Sequence, residues 1–273
     1  MEQNRVKSAL SIAIRAALAA GRDIMEIYTD PSQDFGIERK ADNSPLTLAD
    51  KAAHRRIVDM LSETGLPILS EEGKHADYAM RSQWVAFWMV DPLDGTKEFI
   101  KRNGEFTVNI ALILDSHPHI GVVYVPAQRR LYFGDPLLGA YRVDDISEWS
   151  EEERLPNLLQ SAHRLPLPQP EGRPFTIVAS RSHITPETEQ YIDEARQEHG
   201  EVNLLSCGSS LKLCAVAEGS ADAYPRYAPT MEWDTAAGHA VVACSGKWVY
   251  QAGTDQPLEY NKEDLHNPWF LVK

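Results

Sequence analysis

The chain has 273 residues, of which 43% are hydrophobic and 25% charged, a composition typical of globular proteins with one large or two smaller domains. Its net charge of −13 opposes binding to nucleic-acid backbones and anionic membranes. Three cysteines without a CxxC pair favour a reducing compartment, and no uncharged apolar run reaches the ~18 residues that span a bilayer. We therefore expect a cytoplasmic protein without stable membrane insertion, with a peripheral location at the inner membrane face left open.

The first half of the sequence predicts two helices followed by a series of strands. Residues 4–28 and 47–61 carry apolar residues at helical spacing. Helices that precede a run of strands indicate an α+β layer, and short turns between the last four strands predict an antiparallel meander. The extended segments are LPILS (66–70), WVAFWMVD (84–91), FTVNIALIL (106–114), HIGVVYVP (119–126), RLYFGD (130–135) and GAYRV (139–143).

The second half alternates strands and helices, which favours α/β layering. Residues 144–174 are polar, acidic and proline-bearing, and we interpret them as a linker. We expect two domains, residues 1–160 and residues 161–273. The elements predicted for the second are strands at 175–180, 203–208, 221–225 and 247–250, and helices at 186–200, 209–219 and 233–246.

One apolar strand candidate ends in two aspartates. In the segment VDPLDGT (90–96), Asp91 leaves the strand, Pro92 forces a turn and Asp94 follows within that turn. Gly95 permits a close backbone approach, and Thr96 can begin a short helix. Two carboxylates so close together repel each other unless a cation lies between them or one is protonated. The alternative is that Asp94 or Thr96 only caps the helix.

Three other segments carry carboxylates at comparable places. Glu71 and Glu72 follow the apolar segment ILS, at a strand end where open α/β sheets collect ligands, although alone they could form a solvated acidic turn. Asp234 precedes a helix of small residues and could be its N-cap. Asp50 begins the inward face of the second helix, where a carboxylate is costly without a partner, but Thr47 and Asp50 also match a capping box.

Together, the carboxylates of these four segments predict a site for a hard cation. Carboxylate-rich sites suit Mg²⁺, and cations held there would let a protein of charge −13 bind a phosphate. The nine histidines are scattered and form no zinc pattern with the cysteines. No Gly-x-Ser-x-Gly, P-loop or Gly-x-Gly-x-x-Gly sequence occurs, which excludes those routes to acyl transfer, nucleotide hydrolysis and dinucleotide binding.

The combination of segments resembles the inositol monophosphatase superfamily of Mg²⁺-dependent, lithium-sensitive phosphatases. The resemblance rests on DPLDGTKEFI (91–100), the preceding SEE (70–72) and WDTAAGHAV (233–241). Four further segments are similar to its 3'(2'),5'-bisphosphate nucleotidase (CysQ) branch, and the similarity runs from Asp42 to Asn267: ADNSPLTLAD (41–50), SRSH (180–183), GSSLK (208–212) and YPRYAPT (224–230). The resemblance implies a layered αβαβα sandwich of the sugar phosphatase type, with the site between the two domains.

The resemblance also implies roles for individual residues. Asp50 and Thr96 would be a catalytic pair, in which the hydroxyl donates to the carboxylate and orients the attacking water. Two or three Mg²⁺ per site would be held by Glu71 (rather than Glu72), Asp91, the backbone carbonyl of Leu93, Asp94 and Asp234. Substrate contacts would come from Gly95, Thr96, Ser180, His183, Gly208, Lys212 and Asp234, with Lys212 supplying a cation for a second phosphate.

The substrate implied by the resemblance is a nucleotide with a ribose 3'- or 2'-phosphate, such as 3'-phosphoadenosine 5'-phosphate, which would yield AMP and phosphate. The same chemistry on inositol monophosphate or a sugar bisphosphate is the nearest alternative. A nucleotide-binding regulator without turnover and a structural protein with acidic helix caps are alternatives from other classes. No nucleic-acid polymer is expected as a partner, the oligomeric state stays open, and Lys212 could instead be an exposed helix lysine.

Overall fold

The first hundred residues provide two long helices and the strands that begin a large sheet. The structure, a computed structural model, describes residues 2–30, 32, 35–39, 45–150, 155–179 and 184–273, and side chains of the first helix from residue 9 onwards. The elements are, in order, α1 (Glu2–Thr29), β1 (Glu38–Arg39), β2 (Pro45–Leu46), α2 (Leu48–Leu61), β3 (Ile68–Ser70), α3 (Tyr78–Arg81), β4 (Ala86–Asp94) and α4 (Thr96–Ile100).

The large sheet is completed by the residues that follow. These form β5 (Thr107–Leu114), β6 (His117–Val125), β7 (Arg130–Asp135), β8 (Gly139–Val143), α5 (Leu155–Ser161) and β9 (His163–Arg164). In the described residues the strand order is β3-β4-β5-β6-β7-β8-β9. The β3–β4 pair is parallel and the later pairs are antiparallel, so the predicted meander is confirmed.

The linker predicted at residues 144–174 is wrong in part. Within it, α5 buries Leu155 and Leu158 in the core beneath the large sheet, and β9 pairs with β8. Because polar and acidic residues surround these two leucines, the sequence shows no apolar pattern that would predict a buried helix here. The expected domain boundary after residue 160 falls inside the last turn of α5, which ends at Ser161, and the division into two domains stays a prediction.

The second half of the chain alternates strands and helices as expected. Its elements are β10 (Phe175–Ala179), α6 (Pro186–His199), β11 (Val202–Ser206), α7 (Leu211–Glu218), β12 (Tyr224–Arg226), α8 (Glu232–Cys244), β13 (Val249–Gln251) and β14 (Phe270–Val272). β10 and β11 are parallel, and β14 lies antiparallel between β12 and β13. An isolated parallel bridge between Ile177 and Ala223 links these two small sheets, and together they form a second sheet layer, called the second sheet below. The last strand, β14, was not predicted.

Five layers follow from which side chains are buried together. On β4, Trp88 and Val90 join the core beneath α1 and α2, whereas Phe87 and Met89 join the core that includes α7 and α8. Both faces of the large sheet are therefore covered by helices. On the far side of the second sheet, Ile192 of α6 packs in a smaller cluster with β10. The predicted αβαβα sandwich is confirmed.

Helix α1 presents its apolar face to the large sheet. Leu10, Ile14, Leu18 and Ile24 are almost completely buried there, as their helical spacing predicts. Across the part of the chain that the structure describes, no helix combines the length and the apolar character needed to cross a membrane.

Helix α8 lies unusually close to the large sheet because the facing residues are small. A Cβ added to Gly121 of β6 would lie 2.2 Å from the carbonyl oxygen of Ala237 and 2.7 Å from the Cβ of Ala240. A Cβ added to Gly134 of β7 would lie 2.9 Å from the carbonyl oxygen of Ala240. The helix backbone therefore rests directly on the strands, and this contact fixes where its first turn lies relative to the sheet.

We expect Gly121→Ala to lower the free energy of unfolding by about 1–3 kcal/mol, because the added methyl group would force α8 away from the sheet. The measurement is the urea midpoint of the full chain. The control is Leu137→Ala, at a side chain that is 58% exposed, which should change stability by less than about 0.5 kcal/mol. A wild-type midpoint for Gly121→Ala would contradict the close packing.

Candidate active site

Two acidic strand ends lie side by side at one edge of the large sheet. Because β3 and β4 are parallel, with Ser70 opposite Val90, Glu71 just after β3 lies beside Asp91, which is still paired with β5. The backbone N–H of Glu71 donates to the carbonyl of Val90 at 3.0 Å. Glu72 is half-buried in the same turn. The two chain segments that the sequence analysis selected separately therefore meet in space.

The turn after Asp91 is irregular, and this irregularity brings the second aspartate back to the same place. The pairing of β4 with β5 shifts between Asp91 and Asp94, and the backbone N–H of Leu93 donates to Asp91 Oδ1 at 3.1 Å. Gly95 then has a φ of 89°, a left-handed conformation that favours glycine. No side chain caps α4, so the alternative in which Asp94 or Thr96 only caps this helix is wrong.

Asp234 joins the two strand-end carboxylates from the first turn of α8. The N-cap of this helix is Met231, so the interpretation of Asp234 as the N-cap is wrong, although its Oδ2 accepts the N–H of Met231 at 2.8 Å. Asp91, Asp94 and Asp234 each place one carboxylate oxygen within 4.8 Å of the others. The close contact of α8 with the sheet thus carries its first acidic turn to the edge where β4 ends.

Burial and mutual repulsion raise the pKa values of these carboxyl groups. The pKa of Asp91 lies well above its usual value because the group is buried and because Glu71, Asp94 and Asp234 surround it. The pKa of Asp234 is raised well above its usual value by burial and by Asp94. Burial also raises the pKa of Asp94, against an opposing effect of Lys212. Oxygen donors crowded in this way fit a divalent cation, which would remove the repulsion among them.

Asp50 connects the start of α2 to Thr96. Its Oδ2 accepts from the backbone N–H and the hydroxyl of Thr47 at 2.7 and 2.5 Å, which confirms the predicted capping box. Its other oxygen, Oδ1, lies 3.3 Å from the hydroxyl of Thr96, which is also 3.4 Å from the carbonyl oxygen of Leu93. The capping role and the contact with Thr96 therefore coexist, because Asp50 uses a different oxygen for each.

A cavity of about 390 Å³ opens beside the carboxylates. Gly95, Gly208 and Lys212, the substrate contacts that the family resemblance implies, line it together with Asp94 and Asp234. Three basic residues that were not predicted from the sequence also line it: Lys97, Lys101 and Arg226. Arg226 lies within the YPRYAPT segment, and Lys101 directly follows α4, one helical turn after Lys97. The sequence alone does not show that these side chains face the cavity.

Lys212 is 7% exposed, so its interpretation as an exposed helix lysine is wrong. Its Nζ donates to the carbonyl oxygens of Ser209 at 2.6 Å and Cys207 at 3.4 Å, and lies 5.7 Å from the ring centroid of Tyr224. A buried ammonium held by backbone carbonyls is a fixed positive charge on the cavity wall. Ser180 and His183, the other two predicted substrate contacts, lie outside the described residues.

The two halves of the chain meet tightly at Gly208. A Cβ added there would lie 2.8 Å from Glu98 Cγ and 3.0 Å from the carbonyl oxygen of Glu105. The N–H of Gly208 donates to Glu105 Oε2 at 2.9 Å. A residue larger than glycine would therefore push the segment before α7 away from α4 and open the wall of the cavity.

Comparisons with known proteins agree with this geometry. The sequence model of the inositol monophosphatase family matches residues 5–268. The 3'(2'),5'-bisphosphate nucleotidase CysQ of Escherichia coli (strain K12) is 44% identical over 256 residues, which cover 93% of this chain and 94% of that protein. The chain belongs to the inositol monophosphatase family. The family membership and the similarity to the CysQ branch that the sequence predicted are confirmed.

Solved structures of this family share the fold. The crystal structure of CysQ from Bacteroides thetaiotaomicron is 56% identical, with a TM-score of 0.91 and coverage of 98% of this chain and 97% of that chain. Inositol monophosphatase-II from Staphylococcus aureus MSSA476 is 24% identical, with a TM-score of 0.70 and coverage of 97% and 90%. The second likeness concerns the fold alone.

We expect Mg²⁺ to raise the melting temperature of the wild-type chain, because binding to the folded state alone contributes about 2.7 kcal/mol at a hundred times Kd. In EDTA, Asp94→Asn should melt at a higher temperature than wild type, because one charge leaves a crowded cluster. The same variant should lose most of the increase caused by Mg²⁺. Thermal melts with and without Mg²⁺ provide the measurement.

The matched control is Asp255→Asn, because Asp255 is an exposed carboxylate away from the cavity lining. It should follow wild type in both conditions. An undiminished Mg²⁺ effect in Asp94→Asn would remove Asp94 from the metal site.

Proposed function

We propose that the chain is an Mg²⁺-dependent 3'(2'),5'-bisphosphate nucleotidase that hydrolyses the 3'-phosphate of 3'-phosphoadenosine 5'-phosphate to AMP and phosphate. The proposal rests mainly on one observation: a cluster of acidic residues borders a cavity whose wall carries basic side chains. Negative groups in the cluster suit cations, and the basic wall suits a substrate with more than one phosphate. The 44% identity to the CysQ nucleotidase supports this choice of substrate.

The proposed metal ligands are the oxygens of the crowded sheet edge. When bound there, Mg²⁺ would neutralise charge on the phosphate and lower the pKa of water. The resemblance to the family implies two or three ions. Their proposed ligands come from three segments: Glu71 after β3, Asp91 with Leu93 O and Asp94 at the end of β4, and Asp234 on α8.

Asp50 and Thr96 provide the proposed catalytic pair. A threonine hydroxyl has one proton and two lone pairs, and at 3.3 Å the hydroxyl of Thr96 donates its hydrogen bond to Asp50 Oδ1. The lone pairs of Thr96 can then accept a hydrogen bond from a water and aim its oxygen at phosphorus. In the reaction a bond forms between the water oxygen and phosphorus as the ester P–O bond breaks. Of the two protons of the water, one ends on the departing ribose oxygen and the other stays with the released phosphate.

The second phosphate would bind the basic wall of the cavity. Lys212 is the best placed cation in this proposal, because its carbonyl partners hold the ammonium where it also acts on Asp94. We retain Gly95, Gly208, Ser180 and His183 as proposed substrate contacts. The residues after 160 would thus complete the active site, since Gly208, Lys212 and Asp234 all belong to that half.

Inositol monophosphate is the second candidate substrate, since it would use the same carboxylates. It carries one phosphate, however, and leaves the basic wall of the cavity without a negative partner. Lys97, Lys101, Lys212 and Arg226 on that wall favour the bisphosphate.

Three free thiols support a reducing compartment such as the cytoplasm as the place of this activity. Cys207, Cys214 and Cys244 all lie in described segments and form no disulfide. The thiol of Cys214 is buried, and burial raises its pKa well above the usual range. It is therefore a packing residue rather than a nucleophile.

We expect rapid phosphate release from 3'-phosphoadenosine 5'-phosphate in Mg²⁺, almost none in EDTA, and inhibition by Li⁺. Inositol 1-phosphate, assayed in parallel, should be a poor substrate because it cannot use the basic wall. Preference for the inositol ester would leave the metal chemistry in place but reassign the substrate. Release from neither would favour a nucleotide-binding protein without turnover.

At saturating Mg²⁺, Lys212→Met should lower kcat/KM for the bisphosphate at least tenfold, or about 1.4 kcal/mol. The loss for 3'-AMP, which lacks the second phosphate, should be clearly smaller. The control is Lys247→Met, because Lys247 is a half-buried lysine whose Nζ approaches the carbonyl of Ala221 and not the cavity. Equal losses for both substrates would argue against a second-phosphate contact.

A further inference from the structure

Ser210 occupies the N-cap position of α7 but does not cap it. Serine at this position ordinarily accepts a hydrogen bond from a helix N–H, yet the side chain of Ser210 makes no capping bond. The residue is 2% exposed. Its Oγ lies 2.9 Å from Asp94 Oδ2, 2.8 Å from the carbonyl oxygen of Asp234 and 2.9 Å from Asn109 Nδ2. The hydroxyl therefore sits among three segments at the acidic cluster.

The direction of each hydrogen bond follows from the donors available. An amide nitrogen can only donate, so Ser210 Oγ accepts from Asn109 Nδ2. The single proton of Ser210 is then left for one of two oxygens, and an ionised carboxylate is a stronger acceptor than a carbonyl. When Asp94 is ionised, Ser210 donates to Asp94 Oδ2.

Thr107 fixes the orientation of Asn109. Its hydroxyl donates to Asn109 Oδ1 at 3.0 Å, which turns the amide nitrogen towards Ser210. Thr107 is opposite Asp94 and Asn109 is opposite Asp91 in the β4–β5 pairing, and both polar side chains are almost fully buried. The chain Thr107–Asn109–Ser210–Asp94 therefore begins on a strand in the middle of the fold and not on a loop.

We propose that Ser210 is a positioning residue for the metal site. Its hydroxyl, oriented by Asn109 and Thr107, holds the carboxylate of Asp94 in place against the repulsion of Asp91 and Asp234. The proposal rests on the proposed function in one respect, namely that these carboxylates bind Mg²⁺. Partners that orient metal ligands typically change metal affinity or activity 10–100-fold when they are removed.

The test measures Mg²⁺ affinity directly, by calorimetry on the full chain without substrate. Ser210→Ala should weaken the Kd for Mg²⁺ about tenfold or more, and excess Mg²⁺ should restore much of its kcat. Ser210→Thr keeps the hydroxyl and should recover most of the affinity. The control is Ser245→Ala, because the hydroxyl of Ser245 bonds the carbonyl of Val242 at 2.7 Å at the other end of α8; it should bind Mg²⁺ as wild type does.

A double-mutant cycle tests whether Asn109 acts through Ser210. Asn109→Leu keeps the side-chain size but removes the donor, so it should also weaken Mg²⁺ binding. The combination Asn109→Leu with Ser210→Ala should bind Mg²⁺ no more weakly than Ser210→Ala alone. Fully additive losses would overturn this chain of hydrogen bonds. If Ser210→Ala does not fold, Asn109→Leu alone decides, because wild-type affinity in that variant overturns the proposal.

Melting in EDTA separates positioning from a purely structural role. A structural serine would lower the melting temperature in EDTA and leave the Kd for Mg²⁺ unchanged, and that result would overturn the proposal. The experiment is also independent of the substrate. If wild type binds Mg²⁺ but hydrolyses nothing, the nucleotidase proposal fails, while the comparison of Kd values still decides the role of Ser210. If wild type binds no Mg²⁺, both proposals fail.

Discussion

The repulsion among buried carboxylates is the constraint on which the arrangement of this protein depends. The carboxylates of Asp91, Asp94 and Asp234 repel one another, which is also why their pKa values are raised. On mobile segments this repulsion would drive them apart. They stay together because one belongs to a strand, one to a turn closed by Gly95, and one to a helix pressed onto the sheet. Packing of the two hydrophobic cores on either side of the large sheet stabilises these elements and so offsets the repulsion among the carboxylates.

The shape of the fold explains why the charges meet at this edge and not elsewhere. In an otherwise antiparallel sheet, the parallel pairing of β3 with β4 places Glu71, at the end of β3, beside the acidic residues near the end of β4. Glycines on β6 and β7 then allow α8 to lie close enough for Asp234 to reach them. Three features from distant parts of the sequence thus produce a single site: the parallel β3–β4 pair, the glycines of β6 and β7, and the close approach of α8. Each of these features concerns packing.

Much of this organisation can be predicted from the sequence, because the signals are local. Apolar spacing indicates the meander and the long helices, and the acidic residues at element ends indicate which segments converge. The strand β14 is three residues long and is defined by partners on β12 and β13, so its own sequence carries little signal. Arg226 and Ser210 belong to segments that were noticed, but their direction depends on contacts with residues about a hundred positions away or on the shape of the cavity.

Asp50 shows how closely stability and chemistry are joined in this chain. One of its oxygens begins a helix and the other contacts the hydroxyl that would direct the water. Any side chain that replaces Asp50 must therefore satisfy both the start of the helix and the hydroxyl of Thr96. A substitution at the start of α2 would consequently alter the stability of the helix and the proposed chemistry together, so the two properties cannot be tuned separately at this position.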